Sequence, residues 1–391
     1  MKKRRILYIL ALLALFISHV FTAAYSVLVI ILLLILLPCA SGICTYILRD
    51  KISIKIDDIP ETLIRGEKLR IRQVIRNEAY LPISNIYIKT TYKYNNNCAD
   101  VSEYINVAVK GDEKSIINKA VRLNYVGELS VSTKGSYIAD PLKLFKFSLS
   151  ECDEKKVQVL PVLNEPDSYA LYNYLDDLQD SNEYSKKRKG DDTSEIFDIR
   201  GYINGDSLNR VHWMLSAKED ELLIKEFSMP ISRSNCILLE INNPKTEEDR
   251  KNLNGIYEMV YAIGNLACLK EKEFKLAFYS KETDELKIID VISYEELTEA
   301  IRLLIKEEAY EGSKSLENYM ASELMGLEKL FYVSDRFDEK IFELEDVLRG
   351  QAYIYVVNGS EEAGMITRLV QSTVINVDRN DIAFGLSNTT M

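Results

Sequence analysis

The chain has 391 residues, with 49 Lys and Arg against 60 Asp and Glu and a net charge of −11. That length holds two or three domains beyond any membrane segment, and the acidic balance excludes a general nucleic-acid binder, which needs a basic surplus to meet phosphates. Two histidines exclude a histidine-rich zinc site, and six cysteines without paired CxxC spacing (Cys39, Cys44, Cys98, Cys152, Cys236, Cys268) read as reduced thiols rather than disulfides or metal ligands.

After Lys2–Arg5, residues 6–48 contain no Asp, Glu, Lys or Arg. One membrane helix needs about 20 apolar residues, so this run predicts two, near Ile6–Val20 and Ala24–Ile47, with a tight turn around residues 18–22. Pro38 is expected to kink or end the apolar core of the second. The basic residues Lys2–Arg5 before the hairpin, and Arg49 and Lys51 after it, place both ends on the cytoplasmic side and residues 50–391 in the cytoplasm. A cleaved signal peptide competes with this reading, but the apolar run does not stop where cleavage would fall. His19 reads as a loop or headgroup residue.

Residues 51–160 alternate with period two, as in Ile52-x-Ile54-x-Ile56, Leu69-x-Ile71, Ile86-x-Ile88, Val107-x-Val109 and Val157-x-Val159, separated by turns such as Arg65-Gly66-Glu67 and Lys110-Gly111-Asp112. Many short strands at this spacing predict an all-β sandwich-like domain. Its tyrosines (Tyr80, Tyr87, Tyr92, Tyr94, Tyr104) serve either as ordinary strand residues or as a partner surface. Residues 161–196 read as a linker with a short helix at Tyr169–Leu178. Its basic run Lys186–Lys189, followed by Asp191 and Asp192, reads as a solvated loop, with contact to acidic lipid as the alternative.

Residues 197–234 concentrate the chemistry. Gly205-Asp206 is a turn signal, Val211, Trp213, Met214 and Ala217 recur at helical spacing, and Leu222–Phe227 reads as a short strand. The order Ile199-Arg200-x-Tyr202-x-x-Gly205-Asp206-x-x-x-Arg210-Val211-x-Trp213, then Ser216-Ala217-Lys218, then Leu222-x-x-Lys225-Glu226-Phe227, resembles the signature of domain-of-unknown-function family 58, a widespread bacterial family. This chain departs from it at Asn209, at His212, where members often carry Asp, and at Lys218, which replaces Arg. Ala139–Phe145 is similar to the family's Asp-Pro-Leu-Gly-Leu-Phe segment, with Lys143 at the usual glycine.

The resemblance implies a protein of the bacterial inner membrane, a scaffold or adaptor whose partners are a MoxR-type AAA+ ATPase and other membrane or envelope proteins beside the lipid bilayer itself. Arg200, Tyr202, Asp206, Arg210, Trp213, Lys218, Lys225 and Glu226 then form either a structural network joining the signature to the following domain or a docking surface that could take phosphate. The alternative function is a hydrolase or transferase whose site is shared by the signature segment and the sheet crevice. No phosphate-cradling loop precedes a Lys-Ser or Lys-Thr pair, and Ser216 has no Gly-x-Ser-x-Gly context, so no catalytic residue and no cofactor is assigned.

Residues 235–391 alternate strands and helices: strands at Cys236–Ile241, Phe274–Tyr279, Leu286–Val291, Leu330–Val333, Ala352–Val357 and Val374–Val377, and helices at Glu247–Leu269, Tyr294–Ala309 and Phe337–Leu348. This predicts an α/β sheet covered on both faces. Its order resembles a von Willebrand factor type A-like domain, which implies a cation site after the first strand. The matching positions here are Glu240, Asn242 and Pro244. Glu would push its carboxylate outward by a methylene, Asn242 would still offer an oxygen, and Pro244 offers no ligand, so loss of the metal is expected. Asp335, after a later strand, is either a residual member of that site or, as a lone Asp at a strand end usually is, a cap of the next helix.

Overall fold

The computed structural model describes residues 2–22, 24–95, 100–150, 152–163, 184–190, 196–203, 207, 211–219, 221–230, 235–322, 329–348, 350–359 and 364–387. The chain is multidomain. It opens with two helices, α1 (Lys2–Thr22) and α2 (Tyr25–Leu48), that are long and apolar enough to cross a membrane. Helix α1 continues to Thr22, through the expected turn at 18–22, and α2 begins at Tyr25. Pro38 does not end α2, which runs a further ten residues to Leu48. Proline lacks the N–H that would bond the Leu34 carbonyl one turn back. The Tyr8 hydroxyl of α1 donates to that carbonyl at 2.5 Å, so the group freed by Pro38 is satisfied from the neighbouring helix.

Ten strands follow: β1 (Ile52–Ile56), β2 (Thr62–Ile64), β3 (Lys68–Asn77), β4 (Ile83–Tyr94), β5 (Asp100–Val109), β6 (Lys114–Arg122), β7 (Gly127–Ser132), β8 (Tyr137–Ala139), β9 (Lys146–Ser148) and β10 (Glu154–Leu160). They form a three-stranded sheet, β1-β3-β6, and a larger one, β2-β10-β7-β4-β8-β9, with β5 on β4. Ile52, Ile54 and Ile75 from the first sheet meet Ile83, Ile86, Ile88 and Ile138 from the second, which is the packing that period-two alternation dictates.

The expected helix at Tyr169–Leu178 lies outside the described residues. The basic run Lys186–Lys189 is a strand rather than a loop: β11 (Tyr184–Gly190) joins β12 (Ile196–Gly201) and β13 (Leu223–Pro230) in a separate antiparallel sheet, order β11-β13-β12. A seven-residue helix, α3 (Trp213–Glu219), precedes β13.

The C-terminal sheet comprises β14 (Asn235–Leu239), β15 (Phe274–Ser280), β16 (Glu285–Val291), β17 (Lys329–Ser334), β18 (Gln351–Asn358), β19 (Ile366–Arg368) and β20 (Ser372–Asp378), in the order β16-β15-β14-β17-β18-β20-β19. The five inner strands are parallel and the two edges antiparallel. The helices are α4 (Glu247–Leu269), α5 (Tyr294–Leu304), α6 (Lys314–Ala321), α7 (Lys340–Val347) and α8 (Ile382–Ser387). The expected helix at Tyr294–Ala309 stops at Leu304, and α6, β19 and α8 were not expected.

Helix α4 starts with a capping box between Thr246 and Asp249 and is buried without interruption from Leu253 to Ala267. An amphipathic helix usually keeps one face wet, but here the sandwich covers the outer face. Tyr94, Leu123, Val126 and Val159 of the sandwich share one apolar cluster with Leu253, Tyr257 and Tyr261. Polar groups pin the seam: Asn254 accepts from the Val126 amide at 2.8 Å and donates to the Asn124 carbonyl at 3.0 Å, Asn95 donates to the Ile305 carbonyl at 2.8 Å, and Arg65 pairs with Glu258 at 2.6 Å. On the inner face, Gly255 permits close approach to the sheet, since a Cβ there would sit 2.7 Å from Val357 and 3.0 Å from Arg379.

Glu258 is 3% exposed at its side chain and Arg65 33%, so Arg65→Ala would leave a buried carboxylate without its guanidinium. The expected loss is roughly 2 kcal/mol, less than for a fully buried pair, read as faster hydrogen exchange of the Val126 amide. Adding Glu258→Gln should recover part of that protection.

Candidate functional site

Among the described residues, the signature side chains do not converge. Arg200 lies opposite Ile224 and Lys225 opposite Ile199 on the β12–β13 ladder, so their side chains leave opposite faces of it. Arg200 donates to its neighbour's Gly201 carbonyl at 3.0 Å, and the Tyr202 amide donates to the Leu222 carbonyl at 2.8 Å. Glu226 pairs by backbone with Asp198. Trp213 opens α3 and is 63% exposed, and Lys218 is in its last turn. Asp206 and Arg210 lie outside the described residues. His212 and Ser216 serve the local fold: the His212 Nδ1 accepts from the Leu215 amide at 3.2 Å, and the Ser216 hydroxyl accepts from the Leu223 amide at 2.9 Å.

The denser constellation lies where β14 and β17 end. Parallel strands leave a crevice beyond their carboxyl ends, and loops from neighbouring strands close it. Glu240 follows β14 and is 1% exposed. Its Oε2 accepts from the Tyr310 hydroxyl at 2.7 Å and the Ser315 amide at 3.2 Å, and its Oε1 from the Leu316 amide at 2.9 Å and the Tyr332 hydroxyl at 3.3 Å. Burial pushes the Glu240 carboxyl up to about 7 even though these four donors favour the charged form. Burial and the nearby Glu240 charge hold the Tyr310 phenol well above its usual range.

This corrects the expectation that the longer Glu240 side chain reaches outward. It turns into the core, where its acceptor sites are used by α6, β17 and the Tyr310 loop. Pro244 is buried and brings no ligand. Asn242 donates from Nδ2 to Asp335 Oδ1 at 2.7 Å, while its own Oδ1 is buried without a partner. Asp335 does not cap the next helix: it holds Asn242 and pairs with Arg336 at 3.2 Å, and Asp338 accepts from the Lys340 amide instead. Among the described residues, no group of three or more His, Cys, Asp or Glu is placed to hold a metal ion.

Outside Glu240 opens a crevice of about 460 Å³, whose lining includes Asn242, Lys245, Asp249, Tyr310, Asp335 and Arg336. Lys245 pairs across it with Glu311 at 2.8 Å. Sequence reasoning found Glu240, Asn242 and Asp335 but missed Tyr310, Ser315, Leu316 and Tyr332. One signal was available, because a tyrosine inside the otherwise apolar run Leu330–Val333 implies a buried acceptor for its hydroxyl.

No family model matches the chain, and no curated protein matches it. Among solved structures, part of the chain is similar to a β-glucosidase from Listeria innocua (16% identity, 28% of this chain and 16% of that one, TM-score 0.21). Part is similar to the CARDB domain of a Pyrococcus furiosus protein (10% identity, 28% and 91%, TM-score 0.22) and to an alkylpurine DNA glycosylase from Pseudomonas fluorescens (11% identity, 33% and 37%, TM-score 0.21). The chain thus spans under a fifth of the β-glucosidase, and likenesses this slight carry no activity across. The expectation of a scaffold or adaptor acting with a MoxR-type AAA+ ATPase is corrected: no family model and no curated protein matches the chain to support it.

The Glu240 carboxyl stands at about 7 against an ordinary 4.5, so the fold favours its protonated form. That contribution is complete below about pH 4.5 and is lost as pH rises through about 7, with an upper bound of roughly 3 kcal/mol. The unfolding temperature of the full chain should drop between about pH 4.5 and pH 7, and Glu240→Gln should lower the curve while flattening this slope.

Proposed function

We propose that this is a membrane-anchored protein whose working site is the crevice beyond β14 and β17, and that the crevice binds a small polar ligand. The observation that carries the reading is Asn242: its amide oxygen is buried without a partner, which costs roughly 1–3 kcal/mol, and the residue itself is part of the wall of an open polar crevice, so a turn of the amide would present that oxygen to a ligand. A ligand hydroxyl or ammonium would satisfy it, and Lys245 and Arg336 suit a carboxylate or phosphate on the same molecule. Sugar acids and amino acids combine these groups.

The anchor is the α1–α2 hairpin, with both ends on the cytoplasmic side by virtue of Lys2–Arg5, Arg49 and Lys51. Membership of domain-of-unknown-function family 58 rests on the Ile199–Phe227 signature, and a von Willebrand factor type A-like C-terminal domain on the strand order around β14. A hydrolase or transferase reading draws on the same crevice. Glu240, poised near neutrality behind Tyr310, is the group there able to take a proton at physiological pH.

The full chain in nanodiscs should gain thermal stability with members of a panel of monosaccharides, sugar acids, amino acids and nucleotides, and Asn242→Leu should remove that gain. Turnover of glycoside or ester substrates by the wild type, lost in Glu240→Gln, would select the enzymatic form. A flat response across both assays would sink the crevice as the working site.

A further inference from the structure

The loop between β8 and β9 reaches both apolar helices. Asp140 shapes it: its carboxylate accepts from the Leu142 amide at 3.1 Å and the Phe145 amide at 2.5 Å, and its carbonyl from the Lys143 amide at 2.8 Å. The loop so formed presents the Leu144 carbonyl to Arg5, whose Nε donates at 2.6 Å. Phe145 packs on Gly42 of α2, where a Cβ would lie 3.0 Å from the ring. Phe147 meets Tyr46 edge-on with ring centroids 5.5 Å apart. Arg5 is the last charged residue before the apolar run begins at Ile6, so Leu144 sits at the level where hydrocarbon would start.

Beside this loop a groove of about 400 Å³ opens between α1 and α2, lined by Ile9, Leu12, Leu34, Ile35, Pro38 and Phe145, with Arg5 also in its wall. The seven steps from Arg5 to Leu12 advance about 10 Å along the helix. One end is therefore cationic and the rest apolar. Tyr80 (96% exposed) and Leu81 lie at the same end of the sandwich, and Leu81 lines a second cavity against Ser41 and Leu48 of α2.

The geometry points to a binding site for one anionic phospholipid of the surrounding bilayer, with an acyl chain in the groove between α1 and α2 and the phosphate at Arg5. This rests on the membrane-anchored reading above. Two features select that occupant. The groove walls are the outward sides of two apolar helices, so it is continuous with the space that bilayer lipid fills. The charged residues of α1 are all basic (Lys2, Lys3, Arg4, Arg5). A basic group near a membrane surface is worth about 1 kcal/mol, a preference of about fivefold for an anionic over a zwitterionic headgroup.

The test uses the full chain in vesicles with Trp213, its only tryptophan, replaced by Phe, and a reporter introduced as Phe145→Trp or, should that variant fold poorly, Leu142→Trp. Brominated phosphatidylglycerol should quench the reporter about fivefold more effectively per molecule than brominated phosphatidylcholine, and Arg5→Gln should abolish the difference. Equal quenching by both lipids would mean unselective contact and overturn the site, as would no quenching. A separate Leu32→Trp reporter deep in α2 distinguishes the premises. If it is quenched while the loop reporter is silent, the lipid site alone fails; if it too is silent, the membrane anchoring fails first.

Discussion

The fold depends on a helix with no free side. Helix α4 lies against the C-terminal sheet with one face and against the sandwich with the other, so its polar residues Asn254 and Glu258 are enclosed together with its apolar ones. Residues four apart on a helix share a face, and this pair aligns two kinds of contact along one seam. Asn254 fixes backbone groups on both sides of Tyr125, and Glu258 anchors the Arg65 turn. Apolar burial supplies the attraction between the domains, but it is indifferent to small slides. The hydrogen bonds and the ion pair set the register.

A similar exchange of partners occurs at the other end of the molecule. Pro38 withdraws a donor from the Leu34 carbonyl and Tyr8 restores one from the adjacent helix. At Glu240 a carboxylate at the end of β14 gathers donors from three separate segments. The loops around the crevice are thus tied to one another through the core, while Asn242 and Asp335 above remain at its surface.

Much of this was legible in the sequence. The limits of α4 follow from Thr246 and the apolar series beginning at Leu253, and the limits of β15 and β17 from short runs of buried strand residues. What escaped was set by tertiary contact. The eight residues of α6 are too few for periodicity to register, yet their amides hold Glu240. The spacing of Leu253, Ile256 and Val260 marks one buried face of α4 but not the second, because Asn254 and Glu258 look like solvent residues until a partner is placed over them. The signature is conspicuous as a motif, but Arg200 and Lys225 leave opposite faces of a small ladder and Trp213 and Lys218 belong to the neighbouring helix. At Glu240 local chemistry suggested an outward carboxylate, and the four donors that turn it inward lie 70 to 92 positions away in sequence.

The shared apolar cluster has a practical corollary for dissecting the protein. A fragment ending near residue 160 would expose Tyr94, Leu123 and Val126 to water, and one starting near residue 235 would expose the outer face of α4 together with a Glu258 cut off from Arg65. Each half, once cut free, would carry a sticky surface of the kind that drives self-association. The two are separable in sequence and inseparable in solubility.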